Sequence, residues 1–175
     1  MTPPVQSMPF PGRRIMKGRF TREHMEVFRT AYLFQTLEPA ELGLFMEKAM
    51  YADMAPNSVI IREDDPGEHL FLILSGKVRV TKRTFEGIEQ ILGILETGDF
   101  FGEMVLLDRK SRSASVYAHT RVELAKFQHS EVSAILNDNP RIGLKVLRAF
   151  SEVISLRLRN ANDKLRSLPF IERTF

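Results

Sequence analysis

Six short runs of β-forming residues, separated by turn signals, fill the middle of the chain and limit most strongly what it can fold into. Asp-Asp-Pro-Gly at 64–67 and Ser-Gly at 75–76 are the clearest of these turn signals. Because no helical segment intervenes between most of the runs, the pattern predicts a sandwich, a jelly roll or a barrel. The runs are residues 58–61, 69–74, 77–84, 88–95, 113–118 and 121–127.

Helical periodicity flanks this β region on both sides. Before it, Met25, Phe28 and Tyr32 recur at helical spacing, and a second short helix is expected after Pro39, which suits a first helical turn. After it, a helix is expected from about Ser130, and Pro140 is expected to begin a long helix. An apolar seam recurs along that helix every three and four residues; it consists of Leu144, Leu147, Ser151, Ile154, Leu158, Ala161, Leu165 and Leu168.

The apolar surface of the long helix leaves two interpretations open. A second stripe, formed by Val146, Phe150 and Val153, lies near the start of the seam, so one stripe is expected to face the β region and the other a second copy of the chain. The prediction is therefore a homodimer through the C-terminal helix. The alternative is that the seam packs on its own β region, and Ser151 and Ala161 weaken it as a dimer contact.

Composition and charge narrow the functional classes. The 175 residues include no cysteine, which excludes disulfides, thiolate metal sites and a cysteine nucleophile. Residues 1–22 carry five Lys/Arg and no acidic residue, and residues 141–175 carry eight Lys/Arg against three acidic residues. These segments are either solvated surfaces or contacts with an acidic partner such as nucleic acid. The sequence shows neither a secretory signal nor an apolar run of ~20 residues, so a cytoplasmic protein without membrane contact is expected.

Histidine spacing argues against a metal-dependent jelly-roll enzyme of the cupin kind. Such a site needs clustered imidazole and carboxylate ligands. His24, His69, His119 and His129 form no His-x-His or His-x-x-x-His pair. The expectation is therefore that the chain holds no metal and is not an enzyme.

The segment 98–114 carries the residues that predict a ligand site. Gly98 and Gly102 allow tight turns, and residues 103–107 suit one helical turn whose free N–H groups would bind an anion. The Arg112 guanidinium would bind the same anion through two hydrogen bonds, whereas Glu103 would repel it and instead accept a sugar hydroxyl. Anion, sugar and an adjacent apolar strand together describe a nucleotide. On spacing alone, Glu103 equally suits a helix N-terminus and Arg112 a pair with Asp108.

Three motifs together resemble the cyclic nucleotide-binding domain family, which includes the catabolite activator protein and the regulatory subunits of cyclic-AMP-dependent kinase. They are Leu-Phe-Leu-Ile-Leu-Ser-Gly-Lys-Val at 70–78, Gly-Asp-Phe-Phe-Gly-Glu at 98–103 and Arg-Ser-Ala at 112–114. The resemblance runs from about residue 33 to residue 168. It implies a mainly β fold with flanking helices: an eight-stranded β jelly roll (double-stranded β-helix) with N-terminal helices and a long C-terminal helix.

The resemblance also implies cyclic AMP or cyclic GMP as ligand. Glu103, in the phosphate-binding cassette that Gly102 opens, would take the ribose 2′-hydroxyl, and Arg112 would bind the cyclic phosphate. Asn162 of the C-terminal helix would reach the base. The remaining expected contacts are Ser113 and the backbone near Val105 at the phosphate, Leu92 and Leu95 at the base, and Met104 and Ala114.

Two positions depart from the usual pattern of the family. Asp64 stands where glycine is usual, which is expected to affect only a turn. Val105 stands where alanine is usual and adds bulk beside the phosphate. The second departure is therefore expected to bear on ligand size or affinity.

Four segments follow from these patterns. Residues 1–20 are expected to form a flexible, basic, proline-rich arm, 21–139 the jelly roll with its N-terminal helices and phosphate-binding cassette, 140–168 a C-terminal lid and dimerisation helix, and 169–175 a tail. The tail is too short for the helices that support a recognition helix, so no DNA-binding domain is expected in this chain.

The function implied by the resemblance is a ligand-sensing regulatory module. Its C-terminal helix would be repositioned by the cyclic nucleotide and would signal to an unknown downstream protein. The alternative is a scaffold of the same fold that binds no ligand and only dimerises or docks a partner.

Overall fold

Nine strands and four helices lie in the described part of the chain. The computed structural model describes residues 16–17, 20–104, 106 and 110–167, and side chains within these ranges from 20 to 163. The helices are α1 (Arg22–Thr30), α2 (Pro39–Lys48), α3 (His129–Asp138) and α4 (Pro140–Ser167). The strands are β1 (Met16–Lys17), β2 (Met50–Met54), β3 (Val59–Ile61), β4 (His69–Ser75), β5 (Lys77–Arg83), β6 (Glu89–Glu96), β7 (Phe100–Phe101), β8 (Ser115–Ala118) and β9 (Val122–Gln128).

The strands form two antiparallel sheets. One sheet has the order β2-β9-β4-β7 and is extended at its β2 edge by the two-residue β1, and the other has the order β3-β8-β5-β6. Two four-stranded sheets with helices before and after them are the arrangement that the resemblance implied. The expectation of a mainly β jelly roll with flanking helices is therefore confirmed.

Each of the six predicted runs overlaps one strand, and two further strands of the jelly roll were not predicted. Strand β2 has the sequence Met-Tyr-Ala-Asp-Met, which lacks the β-branched residues that signal a strand. Strand β7 has two residues, too few for a recognisable alternation. It pairs with β4, placing Phe101 opposite Phe71.

The continuous apolar run of β4 is explained by burial on both faces of the strand. Leu70, Leu72 and Leu74 pack among the helices, whereas Phe71 and Ile73 pack between the two sheets. A strand covered on both faces loses the alternation of apolar and polar residues that a half-exposed strand keeps. Strand β4 thus joins the two hydrophobic cores of the fold.

The helix ends follow local capping rules. The Thr21 side chain accepts the backbone N–H of His24, and the His24 ring accepts the backbone N–H of Thr21, which completes a capping box at the start of α1. Helix α2 begins at Pro39, as expected from the fixed φ of proline. Gly143 lets α4 cross α3 closely, because an added Cβ would lie 2.9 Å from the carbonyl oxygen of Leu136.

The turn before β4 has a left-handed residue at the position where the family usually has glycine. Asp64 has a φ of 68°. Aspartate tolerates this conformation better than most side chains, although glycine adopts it at lower cost. The substitution therefore keeps the turn, and the Asp64 N–H donates to the carbonyl oxygen of Arg112 at 2.9 Å.

Helix α4 contacts the helical layer through its first half. Val146 and Phe150 are buried in the helix-side core. Lys145 pairs with Glu41 of α2 at 2.7 Å, and the Tyr32 hydroxyl donates to Glu152. These contacts fix α4 against the segment that contains α1 and α2.

The predicted seam of α4 faces away from the β region. Leu144, Leu147 and Leu158 are 72%, 42% and 60% exposed. At these three positions the stripe does not pack on its own β region, which argues against the alternative left open by the sequence, whereas Ile154 of the same seam is half-buried. The side chain of Leu165 and the whole of Leu168 lie outside the described residues, as do most of the predicted arm and the predicted tail. Among the described helices, none has the combination of length and apolar character that crossing a membrane requires.

Candidate functional site

Arg112 is held in a fixed orientation by two backbone carbonyls. Its Nη2 donates to the carbonyl oxygen of His69 at 2.7 Å, and its Nη1 donates to that of Gly102 at 3.1 Å. The Arg112 backbone is also anchored, since its N–H donates to the carbonyl oxygen of Asp65 at 2.9 Å. Strand β4, the start of the cassette and the turn before β4 thus meet at one guanidinium.

Burial and nearby carboxylates act on Arg112 in opposite directions. Burial lowers the pKa of the guanidinium, and the negative charges of Glu103, Asp65 and Glu68 raise it. Arginine keeps its proton at any physiological pH even so. The result is a half-buried, oriented positive charge, which is suited to binding an anion.

Gly102 cannot be replaced without disturbing this arrangement. Its φ of +77° lies in the left-handed region, and an added Cβ would lie 2.9 Å from both Arg112 Nη1 and the His69 carbonyl oxygen. The glycine is therefore required by the backbone and by the room that the guanidinium needs.

Glu103 is buried, with 7% of its surface exposed, and pairs with an arginine of α4. Arg157 Nη1 lies 3.0 Å from Glu103 Oε1, and Arg157 Nη2 donates to the carbonyl oxygen of Phe100. The Arg157 guanidinium also lies 5.3 Å from the centre of the Phe100 ring. A single side chain of α4 therefore connects the helix to the carboxylate of the cassette.

The predicted site residues, with two exceptions, line one cavity of about 210 Å³. Those that line it are Leu92, Leu95, Gly102, Glu103, Met104, Arg112, Ser113 and Ala114. Asn162 is exposed on α4 and is not among the lining residues. Val105 and Asp108 lie outside the described residues. Leu106 N–H donates to the carbonyl oxygen of Glu103 at 2.9 Å. The predicted helical turn at 103–107 stays a prediction, because part of it lies outside the described residues.

A bulge in β6 brings Leu92 and Leu95 to the same wall. Val80 pairs with Gly93 and Thr81 with Ile91, so Leu92 is one extra residue of β6 at this shift of register. Without that extra residue, positions 92 and 95 would point to opposite faces of the sheet, because side chains alternate along a strand. The bulge thus gives the cavity an apolar wall of two leucines.

Ser113 and Met104 connect the two sides of the cavity. The Ser113 hydroxyl donates to the Met104 sulfur at 3.4 Å. The polar side chains around the cavity are Glu103, Lys110, Ser111, Arg112, Ser113 and Arg157. In the described part of the chain, no three His, Asp or Glu side chains come together as a metal site would require.

Arg157 and Lys110 are cavity residues that the sequence motifs did not identify. Lys110 lies two residues before Arg112, in a stretch where the resemblance offers no motif. Arg157 is 54 residues from Glu103 in the chain. The signal that could have found it is its position beside the seam of α4, facing the β region rather than solvent.

Comparison with known sequences identifies the family of this fold and cavity. Residues 52–139, half of the chain, match the family model described as the cyclic nucleotide-binding domain. The chain belongs to the cyclic nucleotide-binding domain family.

A transcriptional regulator and a kinase regulatory subunit are similar in sequence to the chain. A CRP-like cAMP-activated global transcriptional regulator of Mycobacterium tuberculosis is 29% identical over 84% of this chain and 64% of its own length. A cAMP-dependent protein kinase regulatory subunit of Emericella nidulans is 35% identical over 65% of this chain and 27% of its own length. The chain thus spans less than two thirds of the length of these curated relatives.

A solved structure of the family has the same fold over most of both chains. The crystal structure of a cyclic nucleotide-binding domain from Methylobacillus flagellatus superposes with a TM-score of 0.78 at 26% identity. The match covers 91% of this chain and 90% of that domain. The cyclic nucleotide-binding domain fold therefore accounts for the helices as well as the sheets.

Proposed function

We propose that this chain is a regulatory module that binds a cyclic mononucleotide, cyclic AMP or cyclic GMP, in the cavity between Glu103 and Arg112. The observation that carries the proposal is the pairing of an oriented, half-buried guanidinium with a buried carboxylate on one cavity. A cyclic phosphate supplies the anion for the first group, and the ribose supplies a hydroxyl for the second. Membership of the cyclic nucleotide-binding domain family supports this assignment.

Each group in the cavity has a distinct task in this proposal. Arg112 forms charge-assisted hydrogen bonds to the cyclic phosphate, and because His69 and Gly102 already fix its guanidinium, little conformational entropy is lost on binding. Glu103 accepts the ribose 2′-hydroxyl. Leu92 and Leu95 offer the base an apolar surface.

Cyclic AMP is the ligand to test first. The mycobacterial regulator and the fungal kinase subunit are both named for cyclic AMP. The apolar wall of Leu92 and Leu95 offers no hydrogen-bonding group that would distinguish adenine from guanine. Cyclic GMP therefore belongs in the same experiment.

Helix α4 responds to the ligand through Arg157. In the structure the Glu103 carboxylate already has a partner, Arg157, at 3.0 Å. A ribose hydroxyl that donates to the same carboxylate changes the strength of that ion pair and hence the position of α4. The shift can be no larger than the difference in ligand affinity between the two helix positions.

The exposed seam of α4 suits a second copy of the chain. In a parallel two-stranded coiled coil with Leu147 and Leu158 in its core, Arg157 and Asn162 lie on the two sides of the core. Arg157 of one copy then faces Asn162 of the other. Asn162 of a second copy would then lie beside Arg157, close to the cavity. This arrangement explains how a residue exposed in one chain can reach the base.

Isothermal titration with cyclic AMP and with cyclic GMP tests the proposal. Binding of at least one nucleotide is expected, and Arg112→Ala should remove most of it. Arg121→Ala is the matched control, since Arg121 is an exposed arginine paired with Asp53 and does not line the cavity. Equal losses in both variants would move the site elsewhere.

A thermal melt separates the sensor from a scaffold that binds no ligand. A ligand that binds only the folded state raises the melting temperature by mass action. An unchanged melting temperature with either nucleotide, at concentrations well above micromolar, would favour the scaffold and contradict the proposal.

A further inference from the structure

Three carboxylates act on the positive charge of Arg112. Asp65 adjoins it, because the Arg112 N–H donates to the carbonyl oxygen of Asp65. Glu68 precedes His69, whose carbonyl oxygen accepts a hydrogen bond from the Arg112 guanidinium at 2.7 Å. Asp65, Glu68 and Glu103 all act electrostatically on the guanidinium. The attraction that Arg112 alone would exert on an approaching anion is therefore partly cancelled.

Arg157 does not reverse this balance. It is the second arginine of the cavity, and its charge is paired directly with Glu103 at 3.0 Å. One arginine charge of the cavity is thus offset by a direct partner and the other by nearby carboxylates. Neither arginine therefore presents its full charge to an anionic ligand that approaches from solvent.

Lys110 differs from both arginines of the cavity in being exposed to solvent. It lines the cavity and lies two residues before Arg112. Among the cavity-lining residues in the described part of the chain, it is the one cation besides the two arginines. Of the three lining cations in the described part of the chain, it is therefore the most open to an anion that approaches from solvent.

We infer that Lys110 steers the anionic ligand into the cavity and sets the rate of association, while Arg112 holds the bound phosphate. This inference rests on the proposed function and adds to it a residue that acts before the ligand is bound. Exposed charges at the entrance of a site act through the long-range field, which raises association rates and weakens as salt shortens the Debye length. A deep, oriented cation acts mainly on dissociation.

Stopped-flow binding of cyclic AMP carrying a fluorophore on its base measures both rates on the full chain. In Lys110→Gln, the association rate constant should fall about two- to five-fold at low ionic strength, with little change in dissociation. The difference should shrink as salt rises, and Lys110→Arg should restore the rate. Lys48→Gln, on α2 and paired with Glu131, makes the same change in net charge away from the cavity and should leave the rate unchanged.

The outcomes separate this inference from the function on which it rests. An unchanged association rate in Lys110→Gln at low salt, or an equal drop in Lys48→Gln, would overturn the inference and leave the proposed function intact. A loss confined to dissociation would also overturn it, because Lys110 would then be a direct ligand contact. Absence of binding by the unsubstituted chain would overturn both.

Discussion

Arg157 of α4 and Glu103 of the predicted phosphate-binding cassette form an ion pair, with Nη1 and Oε1 3.0 Å apart, across one side of the cavity. The carboxylate is buried, and the guanidinium also donates to the carbonyl oxygen of Phe100. Because a buried charge without a partner is costly, the pair makes the position of α4 a condition for a stable cassette.

Arg157→Gln should lower the free energy of unfolding by about 1–3 kcal/mol, since it leaves the buried Glu103 carboxylate without its charged partner. Urea unfolding measures this loss. Hydrogen exchange should also become faster in the last turns of α4. Arg159→Gln, at an exposed position of the same helix, is the control and should change neither quantity; a comparable loss there would show that the ion pair is not the cause.

Gly102→Ala should weaken cyclic nucleotide binding strongly, because its Cβ would displace the Arg112 guanidinium from the His69 carbonyl oxygen. It should also cost about 1–2 kcal/mol of stability through left-handed strain. Gly98→Ala is matched to it: Gly98 has a φ of +91°, but an added Cβ would have no neighbour within 4 Å.

Both glycine variants should therefore lose stability through left-handed strain, and they should differ in affinity. Calorimetric titration of both with the same nucleotide measures the difference. Similar affinities in the two variants would show that displacement of Arg112 is not what Gly102 prevents.

Leu158→Glu should convert the proposed homodimer to a monomer, because it places a charge in the apolar seam of α4. Leu156→Glu is the control, since Leu156 is 57% exposed on the same helix but lies outside the seam. Light scattering of the two variants at equal concentration measures the mass. Dissociation by both substitutions, or by neither, would contradict dimerisation through the seam.

Acid should weaken the fold through Asp53. Two hydrogen bonds from Arg121, at 3.0 and 2.5 Å, lower the pKa of the Asp53 carboxyl. Because this pKa is lower in the folded state than in the unfolded chain, the ionised carboxyl stabilises the fold at pH values above the ordinary pKa. That stability is lost as pH falls through the folded-state pKa. The decrease should therefore begin below about pH 4.

Urea midpoints measured from pH 7 to pH 3 follow this loss. Asp53→Asn should be less stable than the unsubstituted chain at pH 7 and should depend less on pH in the acid range. Parallel curves for the two proteins would show that Asp53 does not contribute to the acid response.

Local sequence patterns predicted the strands well where turn residues and β-branched residues mark their limits. The run 69–74, with its Ser-Gly turn, gave β4 to within one residue. Strand β2 was not predicted, because its methionines, alanine and aspartate have no strand preference of their own and it is held by pairing with β9. Pairing with a strand far away in the sequence is a tertiary interaction, and the propensities of the local residues do not predict it.

The site could be predicted as far as its motifs extend along the chain. Glu103 and Arg112 stand in short motifs of the resemblance, and both line the cavity. The contact of Arg157 depends instead on how α4 crosses the jelly roll, a geometry that the helical period alone does not contain. Asn162 was expected from the register of that helix, and its role remains a prediction that involves a second copy.

Helix α4 is attached at two places along its length, first to the other helices and then to the cavity. Its first half is fixed to α2 and to the α1–α2 segment by Lys145 and Glu152, and its next attachment is Arg157 at the cavity. About 15 residues separate Glu152 from the end of the helix, a distance of roughly 22 Å at 1.5 Å per residue. A tilt of about 10° about the attachment at Glu152 would carry that end sideways by about 4 Å. A change of one hydrogen-bonding partner at Glu103 would thus become a displacement large enough for another macromolecule to detect.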